Sequence, residues 1–384
     1  MPFDCQHRLR HGPEVCLTDC LSASERGGCR FVRVERAGDL PPAVPWLIDV
    51  AVLDMHHGWP NLGHDAIVHA VQNAVCDLQA DLEAAGLGFR VISYDVRRGH
   101  QIPEPPGGRH AVYIGTGGPG HLDPRRNDGV SPGSQGIVED PAWEAPLFGL
   151  FDAIERDEHA ALLAVCHTFG VLCRWLGVAD AVLRGPGKGG KSTGIVDNIL
   201  TPEAAAHPWF SQFAAELADR RRFRILDSRL YDLIPAGPLP ARVTAVAHET
   251  LGHDGPRGPA LTMIEVARDP DGVIPRMLAV NHHPEIVNRP RQLTLLRKKM
   301  ERHNLSAEWL QERAAALTQT IDAHGDRSLH LTASYTLLAP LRHHLHRVAH
   351  RRALEVGRPL DRDIRLRPIV YRPAADCLQP DRRE

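Results

Sequence analysis

The 384-residue sequence contains no apolar run long enough to cross a membrane. Its first residues, MPFDCQHRLRHG, have no apolar core of the signal-peptide type. An excess of one charge is also missing, because the formal net charge is -2, which gives no general attraction to nucleic acid or to an anionic membrane. We therefore expect a soluble, cytoplasmic protein whose partners include neither nucleic acid nor a membrane.

Closely paired cysteines are scarce. The eight cysteines are scattered over the chain, at Cys5, Cys16, Cys20, Cys29, Cys76, Cys166, Cys173 and Cys377. In a chain of this length they do not suggest a disulfide scaffold. Cys16 and Cys20 stand four residues apart, but no second close pair follows, so ordinary reduced cysteines are a better interpretation than a zinc site.

The apolar segments predict a mostly parallel sheet with helices on both faces. Strand patterns alternate with helical periodicity from Trp46 onward, which is typical of such α/β architectures. Residues 161–177 are predicted as a strand, a sharp turn and a helix. The other predicted strands are residues 46–54, 89–96, 111–120, 194–198, 224–227, 242–248, 260–266 and 277–280, and the other helices are residues 64–86 and 145–154. Ligands of these sheets bind at the carboxyl ends of the strands.

The two ends of the chain differ from this α/β pattern. Residues 1–45 look irregular and end in the breaker-rich DLPPAVP. After about Arg291, three segments have the pattern of helices rich in Arg and His: QLTLLRKKMERHN, SAEWLQERAAALTQTID and LLAPLRHHLHRVAHRRALE. We predict an N-terminal extension of residues 1–45, an α/β domain of residues 46–290 and a helical C-terminal extension of residues 291–384, which docks a partner or mediates self-association.

Cys166 is the first candidate for chemistry, because it follows the apolar strand LLAV and precedes a helix. A side chain on such a turn projects from the sheet. The free amides and the positive dipole of the helix N-terminus favour the thiolate and can hold a developing oxyanion. Taken alone, Cys166 is better interpreted as a buried structural cysteine.

Two further strand ends carry suggestive sequences. NHHPE, residues 281–285, follows the strand MLAV, where His283 suits a general base and Glu285 suits the carboxylate that orients it. GTGGPG, residues 115–120, lets the backbone approach a substrate and present its amides. Each pattern alone also fits an ordinary turn. Together with Cys166 they supply the nucleophile, base and orienting group of a covalent hydrolase.

With these motifs in this order, the sequence resembles the class I glutamine amidotransferase family of the Cys-His-Glu type over about residues 46–290. The family's Ser/Thr-Gly-Gly-Pro turn matches residues 116–119, its nucleophile elbow matches AVCHTFG, and its His-Pro-Glu motif matches residues 283–285. The segment RILDSRLYDLIP, residues 224–235, with the following VTAVAHE, resembles the family's strand and Ser-x-x-Asp region. The resemblance implies a three-layer, flavodoxin-like α/β fold.

The resemblance also implies a role for each matching residue. Cys166 would attack the side-chain amide of glutamine and form a thioester. His283 would take the thiol proton and later activate water, while Glu285 would hold His283. The positions implied for the oxyanion hole and the substrate are Gly117, the backbone amides of Gly118 and His167, Ser228 and Asn281. Glutamate and ammonia would be the products, without a metal or other cofactor, and a separate synthetase partner would consume the ammonia.

The elbow departs from the family's Gly-x-Cys-x-Gly-x-Gln pattern, with Ala164, Thr168 and Gly170 at the flanking positions, and Asn281 replaces a usual Gln. The absent elbow Gln helps the family to hold glutamine, and Thr168 should aggravate crowding at a strained turn. Two alternatives therefore stay open. One is a cysteine hydrolase of another γ-glutamyl or amide substrate, and the other is a non-catalytic binding or regulatory module that retains the fold.

Two other conspicuous segments have plainer interpretations. GPGKGGKST, residues 185–193, matches the phosphate-binding pattern GxxxxGK[ST], but the β-branched TGIVDNIL that follows predicts a strand where a phosphate loop needs a helix. We predict that this loop borders or covers the active site. The Arg- and His-rich residues 342–352 are interpreted as a solvated helix face, and His56 and His57 as a border of the pocket rather than metal ligands.

Overall fold

The computed structural model describes residues 29–58, 62–185, 190–303, 306–358 and 360. Within these ranges, twelve strands belong to one sheet: β1 Cys29–Val34, β2 Leu47–Asp54, β3 Gly88–Asp95, β4 His110–Gly115, β5 Ala161–Val165, β6 Ala179–Leu183, β7 Ser192–Leu200, β8 Arg222–Arg229, β9 Tyr231–Pro235, β10 Thr244–Thr250, β11 Arg257–Arg268 and β12 Pro275–Val280. The α-helices are α1 Leu62–Cys76, α2 Gln79–Ala85, α3 Glu144–Arg156, α4 His167–Leu176, α5 Pro202–Ala206, α6 Phe210–Glu216, α7 Arg289–His303, α8 Ala307–Thr318, α9 Ala323–Ala333 and α10 Ala339–Glu355. A π-helical turn, Ser334–Leu338, joins α9 to α10.

The sheet has a parallel half and an antiparallel half. The parallel half has the order β1-β3-β2-β4-β5-β12, and antiparallel pairing continues it through β11-β10-β7-β8, while β9 pairs with β11 and β6. Every residue of β2 is buried, as expected for a parallel strand covered on both faces. The predicted α/β sheet flanked by helices is therefore confirmed.

Successive residues of β2 point to opposite faces of the sheet and so belong to two separate cores. Val50 and Val52 pack in the core that α1, α2 and α10 cover. Ala51 and Leu53 pack in the core that α3 and α4 cover. Helices thus form an outer layer on each side, and the strand ends are left as the open edge where loops can build a site.

The N-terminal segment contains a strand that the sequence did not predict. β1 pairs in parallel with β3 along its whole length, so the expectation of an irregular chain was wrong for Cys29–Val34. Its sequence, CRFVRV, is short and interrupted by arginines, and the partner strand lies far along the chain. Pairing at the edge of the sheet, rather than local periodicity, determines its conformation.

The predicted C-terminal helices are present, and the last one completes a layer of the core. Leu341, Leu345 and Ala349 of α10 are buried against the sheet. His344 is also buried, with its Nε2 at 2.8 Å from the Pro275 carbonyl, and His343 Nε2 lies 3.0 Å from Asp269 Oδ2. The expected solvated face was therefore wrong for these two histidines. Among the described helices, none is both long enough and apolar enough to span a membrane.

Candidate active site

The topology brings three of the predicted motifs together. β4, β5 and β12 are neighbours in the sheet and run parallel, so their carboxyl ends lie at the same edge. Gly117 follows β4, Cys166 follows β5 and His283 follows β12. A Cβ on Gly117 would lie 3.1 Å from His283 Cε1 and 3.6 Å from Cys166 Sγ, so both side chains contact the space that this glycine leaves open.

Cys166 occupies a strained turn between β5 and α4. Its φ is 50° and its ψ is −101°, in a region that residues with a side chain rarely adopt. The Cys166 amide donates to the Val280 carbonyl at 2.7 Å, and the Cys166 carbonyl accepts from the Gly170 amide at 3.1 Å. These bonds hold the turn in its strained conformation. Backbone strain that is fixed in this way is common at functional sites.

His283, which is partly exposed, and the buried Glu285 form a pair beside Cys166. His283 Nδ1 lies 2.8 Å from Glu285 Oε1, and because a carboxylate only accepts, the ring donates. Burial lowers the pKa of His283, but the negative charges of Glu285 and Cys166 outweigh it and raise this pKa well above its ordinary value. The imidazolium form of His283 is therefore favoured beside the Cys166 sulfur, an arrangement that suits a cysteine nucleophile.

The structure distinguishes the two adjacent histidines of NHHPE. His282 is buried, with its Nε2 at 3.3 Å from Thr336 Oγ1 of the π-helical turn. Burial, and then the neighbouring charge of His283, lowers the pKa of His282 to about 3, so this ring stays neutral. Of the pair, His283 is the one placed for acid–base chemistry.

Arg97 anchors the glycine turn, a role that the sequence analysis missed. Its Nη1 donates to the Met55 carbonyl at 2.9 Å and to the Pro119 carbonyl at 2.6 Å. Its other donors form a fully buried pair with Glu139, with Nε at 2.5 Å and Nη2 at 2.7 Å from the carboxylate oxygens. A Cβ on Gly118 would lie 2.2 Å from the Met55 oxygen, so only glycine fits. The sequence signal for this role was an arginine that follows a buried strand.

Thr168, which departs from the family pattern, is accommodated by a glycine on the neighbouring strand. Its Oγ1 donates to the Thr116 carbonyl at 2.7 Å, and its amide donates to the same oxygen at 3.3 Å. A Cβ on Gly115 would lie 2.3 Å from Thr168 Cγ2. Because Gly115 has no side chain, it leaves the room that the Thr168 side chain needs. In the family pattern, a glycine at the elbow leaves that room itself.

We expect Gly115→Ala to destabilise the fold by about 2 kcal/mol, because the added methyl overpacks the contact with Thr168. Urea unfolding would measure the change, and the double variant Gly115→Ala/Thr168→Gly should recover part of it. Gly149→Ala is the matched control, since Gly149 is exposed on α3 with no atom within 4 Å of an added Cβ. The control should gain up to about 1 kcal/mol from helix propensity. A Gly115→Ala variant as stable as the parent would contradict the crowding.

Gly170 stands at the position of the family's elbow Gln, and Leu122 occupies the space beside it. A Cβ on Gly170 would lie 2.4 Å from Leu122 Cδ1 and 2.6 Å from Cδ2. Leu122 is buried and follows the glycine turn. An apolar side chain from another loop thus occupies the space next to α4, and a polar group for holding glutamine is missing at this position.

A cavity of about 340 Å³ opens in front of Cys166. Its wall contains these predicted site residues: Gly118, Cys166, His167, Ser228, Asn281 and His283. Glu285 lies behind His283. Burial, together with the charge of Arg97, lowers the pKa of His167 well below its ordinary value, so this ring is neutral. Six of the eight predicted site residues therefore line one cavity, Gly117 and Glu285 are not among its lining residues, and the roles of all eight remain predictions.

Segments outside the three motifs complete the cavity wall. Lys191 and Thr193 lie on it, as expected for a loop that borders the site, and β7 begins at Ser192, so the strand predicted after GPGKGGKST is confirmed. Residues 186–189 of that loop lie outside the described residues. Leu296 of α7 and Leu317 of α8 close the cavity from the C-terminal helices. His56 and His57 are not among its lining residues.

One group of side chains among the described residues has the spacing of a metal site. Asp197, His253 and Asp254 offer ligand atoms within 4.8 Å of one another. His253 and Asp254 are exposed, and none of the three lines the Cys166 cavity. Such a surface group is common without a metal and has no part in the site described above.

Comparison with known proteins gives similarities at the level of structure only. No family model matches the sequence, and no curated protein matches it. The chain is similar in structure to a glutamine amidotransferase from Thermotoga maritima, with 16% identity, a TM-score of 0.42, and coverage of 78% of this chain and 98% of that one. It is also similar to a glutamine amidotransferase from Methylobacillus flagellatus, with 13% identity, a TM-score of 0.40, and coverage of 76% and 94%. Neither similarity assigns an activity.

Proposed function

We propose that this chain is a cysteine-dependent amidohydrolase of the glutamine amidotransferase type. One observation carries the proposal: Cys166 lies on a strained strand-to-helix turn beside the His283–Glu285 pair, at the mouth of a cavity. Nucleophile, base and orienting carboxylate are the groups that covalent hydrolysis of an amide requires. The cavity volume of about 340 Å³ is in the range of small-molecule pockets.

In the first half-reaction, the Cys166 thiolate attacks the amide carbon and the carbonyl oxygen takes the negative charge. The backbone amides of Gly118 and His167 stabilise this oxyanion. His167 is the first residue of α4, and its amide is free for this role because the first amides of a helix have no carbonyl partner within the helix. The C–N bond then breaks, and ammonia leaves with the proton that His283 carried. A thioester on Cys166 results.

In the second half-reaction, neutral His283 removes a proton from water, and the resulting hydroxide attacks the thioester carbon. The C–S bond breaks and the imidazolium and the thiolate are restored. The carboxylic acid product leaves and gives its proton to the ammonia from the first half-reaction, which yields carboxylate and ammonium. Glu285 stabilises the charged ring in both halves through the 2.8 Å bond to Nδ1. Amide and water are thus converted to carboxylate and ammonium, with no change in oxidation state.

Glutamine is the first candidate substrate, and a specific observation favours a second. Leu122 fills the space beside Gly170, where the resembled family places a Gln that grips its substrate. A site without this Gln side chain suits a γ-glutamyl compound that gains its binding energy from other contacts in the cavity. The second candidate function is therefore hydrolysis of a γ-glutamyl amide other than glutamine.

The test compares ammonia release from L-glutamine with amine release from a series of γ-glutamyl amides, by coupled assay and by chromatography of the products. Turnover of glutamine supports the first function, and turnover of γ-glutamyl amides alone supports the second. If no compound is turned over and Cys166 is unreactive toward electrophiles, the chain is a non-catalytic module and the proposal is wrong.

Transfer of the released ammonia to a separate synthetase partner belongs to the same proposal. Its support is the resemblance in motifs and the extra helices beside the cavity, since α7 and α8 contribute Leu296 and Leu317 to the wall. A protein docked on these helices would act directly on the site. We expect addition of such a partner to raise the rate of ammonia formation, and this increase would identify it.

A further inference from the structure

A second cavity, the α10 cavity, has a volume of about 490 Å³ and opens beside the last described helix. Its volume is in the range of small-molecule pockets. None of the described residues that line it is acidic, and five are arginines or histidines: His159, His346, Arg347, His350 and Arg351. A cleft lined by one sign of charge focuses the electrostatic field and concentrates ligands of the opposite charge.

The α10 cavity lies at the edge of the sheet opposite to Cys166. His344 of α10 contacts the carbonyl of Pro275, the first residue of β12, and His159 comes two residues before β5. Cys166, by contrast, follows the carboxyl end of β5. A ligand in the α10 cavity would therefore not compete with a substrate at Cys166, and its binding can be measured independently of the proposed amidohydrolase function.

Four of the five side chains share one face of α10. Arg347 and Arg351 are four residues apart, as are His346 and His350, so the members of each pair are neighbours on the helix surface. The rings of His346 and His350 are stacked, with their centroids 6.2 Å apart and an angle of 27° between their planes. Like charges at this spacing destabilise a helix. An anion bound between the two arginines would offset their repulsion.

The protein itself neutralises these two arginines only weakly. Among the described residues, Arg351 has no hydrogen-bond or ion-pair partner. Arg347 Nη1 lies 3.7 Å from Asp269 Oδ2, beyond hydrogen-bond distance. That carboxylate is already engaged, because its Oδ2 lies 3.0 Å from His343 Nε2 and its Oδ1 accepts from two backbone amides. Both guanidinium groups therefore have N–H donors to offer to an anion.

The wall of the α10 cavity indicates which kind of anion it suits. A planar guanidinium binds phosphate through paired N–H donors, so arginine is a preferred partner of phosphate groups. The remaining part of the wall is apolar and consists of Val348, Leu354 and Leu360. A ligand that fits both parts carries a phosphate next to an apolar or planar group, as a nucleotide does.

We propose that the α10 cavity binds a phosphorylated small molecule, with Arg347 and Arg351 holding its phosphate and the apolar wall covering the rest of the ligand. The ring nitrogens of His159, His346 and His350 provide further hydrogen-bonding groups around the same space. This site goes beyond the amidohydrolase function and does not depend on it.

Calorimetric titration of the full chain at constant ionic strength tests the site, with inorganic pyrophosphate, AMP and adenosine as the probes. We expect pyrophosphate and AMP to bind, and adenosine, which lacks the phosphate, to bind at least about 10-fold more weakly than AMP. Arg347→Gln and Arg351→Gln should each weaken pyrophosphate binding about 10- to 100-fold, the loss typical of a hydrogen bond to a charged group. Arg351→Lys, which keeps the charge but loses the paired donors, should have an intermediate effect.

Arg352→Gln is the matched control, because it removes the same charge from the same helix. Arg352 binds Glu355 and the Pro45 carbonyl, and it does not line the α10 cavity. This variant should bind pyrophosphate as the parent chain does, whereas a diffuse attraction of anions to α10 would weaken equally in Arg351→Gln and Arg352→Gln. Cys166→Ala should also bind as the parent does. Thermal unfolding without ligand shows that each variant is folded.

Four results would overturn the phosphate site. They are no binding of pyrophosphate or AMP to the parent chain, adenosine binding as tight as that of AMP, unchanged pyrophosphate binding in folded Arg347→Gln and Arg351→Gln, and equal weakening in Arg351→Gln and Arg352→Gln. Binding to vesicles of phosphatidylcholine and phosphatidylglycerol, or to a polyglutamate peptide, without binding of pyrophosphate or AMP would assign this face to a membrane or an acidic protein segment instead. None of these results affects the amidohydrolase proposal, which ammonia release decides.

Discussion

Replacement of Cys166 by alanine is expected to lower turnover of the amide substrate about ten-thousand-fold or more, because no other group can form the thioester. Any residual rate would come from substrate positioning and the backbone amides of the turn. Product formation per enzyme, measured with the best substrate of the γ-glutamyl series, checks the loss.

Cys76→Ala is the control for that variant. Cys76 is an exposed cysteine at the end of α1, and it does not line the cavity. This control should keep the rate of the parent chain and lose only labelling at Cys76. Persistent turnover in Cys166→Ala, at more than a small fraction of the parent rate, would place the nucleophile elsewhere.

The second large effect is expected for Glu285→Gln, with a loss in kcat of about a hundred- to ten-thousand-fold, as for other orienting carboxylates in triads. Glu285 is the main group that raises the pKa of His283 against the lowering effect of burial. Its neutral replacement should therefore lower the pKa of His283. Because departure of ammonia needs a proton on His283, the alkaline limb of the pH–rate profile should move to lower pH by about one to three units.

The profile of kcat against pH for the parent, Glu285→Gln and the exposed control Glu158→Gln measures this shift. The control should reproduce the parent profile. An alkaline limb that stays in place in Glu285→Gln would show that Glu285 does not set the charge of His283. The same pair also affects folding, since a histidine whose pKa is raised in the folded state stabilises it below the ordinary histidine value. That contribution is lost as the pH rises through the raised pKa.

The catalytic candidates were accessible from sequence because each follows an apolar strand. Parallel strands end at one edge of a sheet, so motifs after β4, β5 and β12 were expected to approach one another. Their contact nevertheless depends on β4, β5 and β12 being neighbours. The order of strands arises from packing over long separations in the chain, and no local pattern specifies it.

The residues that were missed act across such long separations. Arg97 was one charged residue among several until its contacts with Met55, Pro119 and Glu139 were known. β1 shares this limitation, because its conformation depends on pairing with β3 more than on its own periodicity.

The position of α10 in the core has a consequence for the newly made chain. α10 packs on β2, β4, β12 and α1, yet it lies more than half the chain away from the first two strands. At a synthesis rate of about 5–20 residues per second, roughly 10 to 45 s pass between the emergence of β4 and that of α10. During that time the apolar side chains of Val50 and Val52 lack part of their cover. The nascent chain therefore offers a hydrophobic surface to chaperones, or to other nascent chains, until α10 is made.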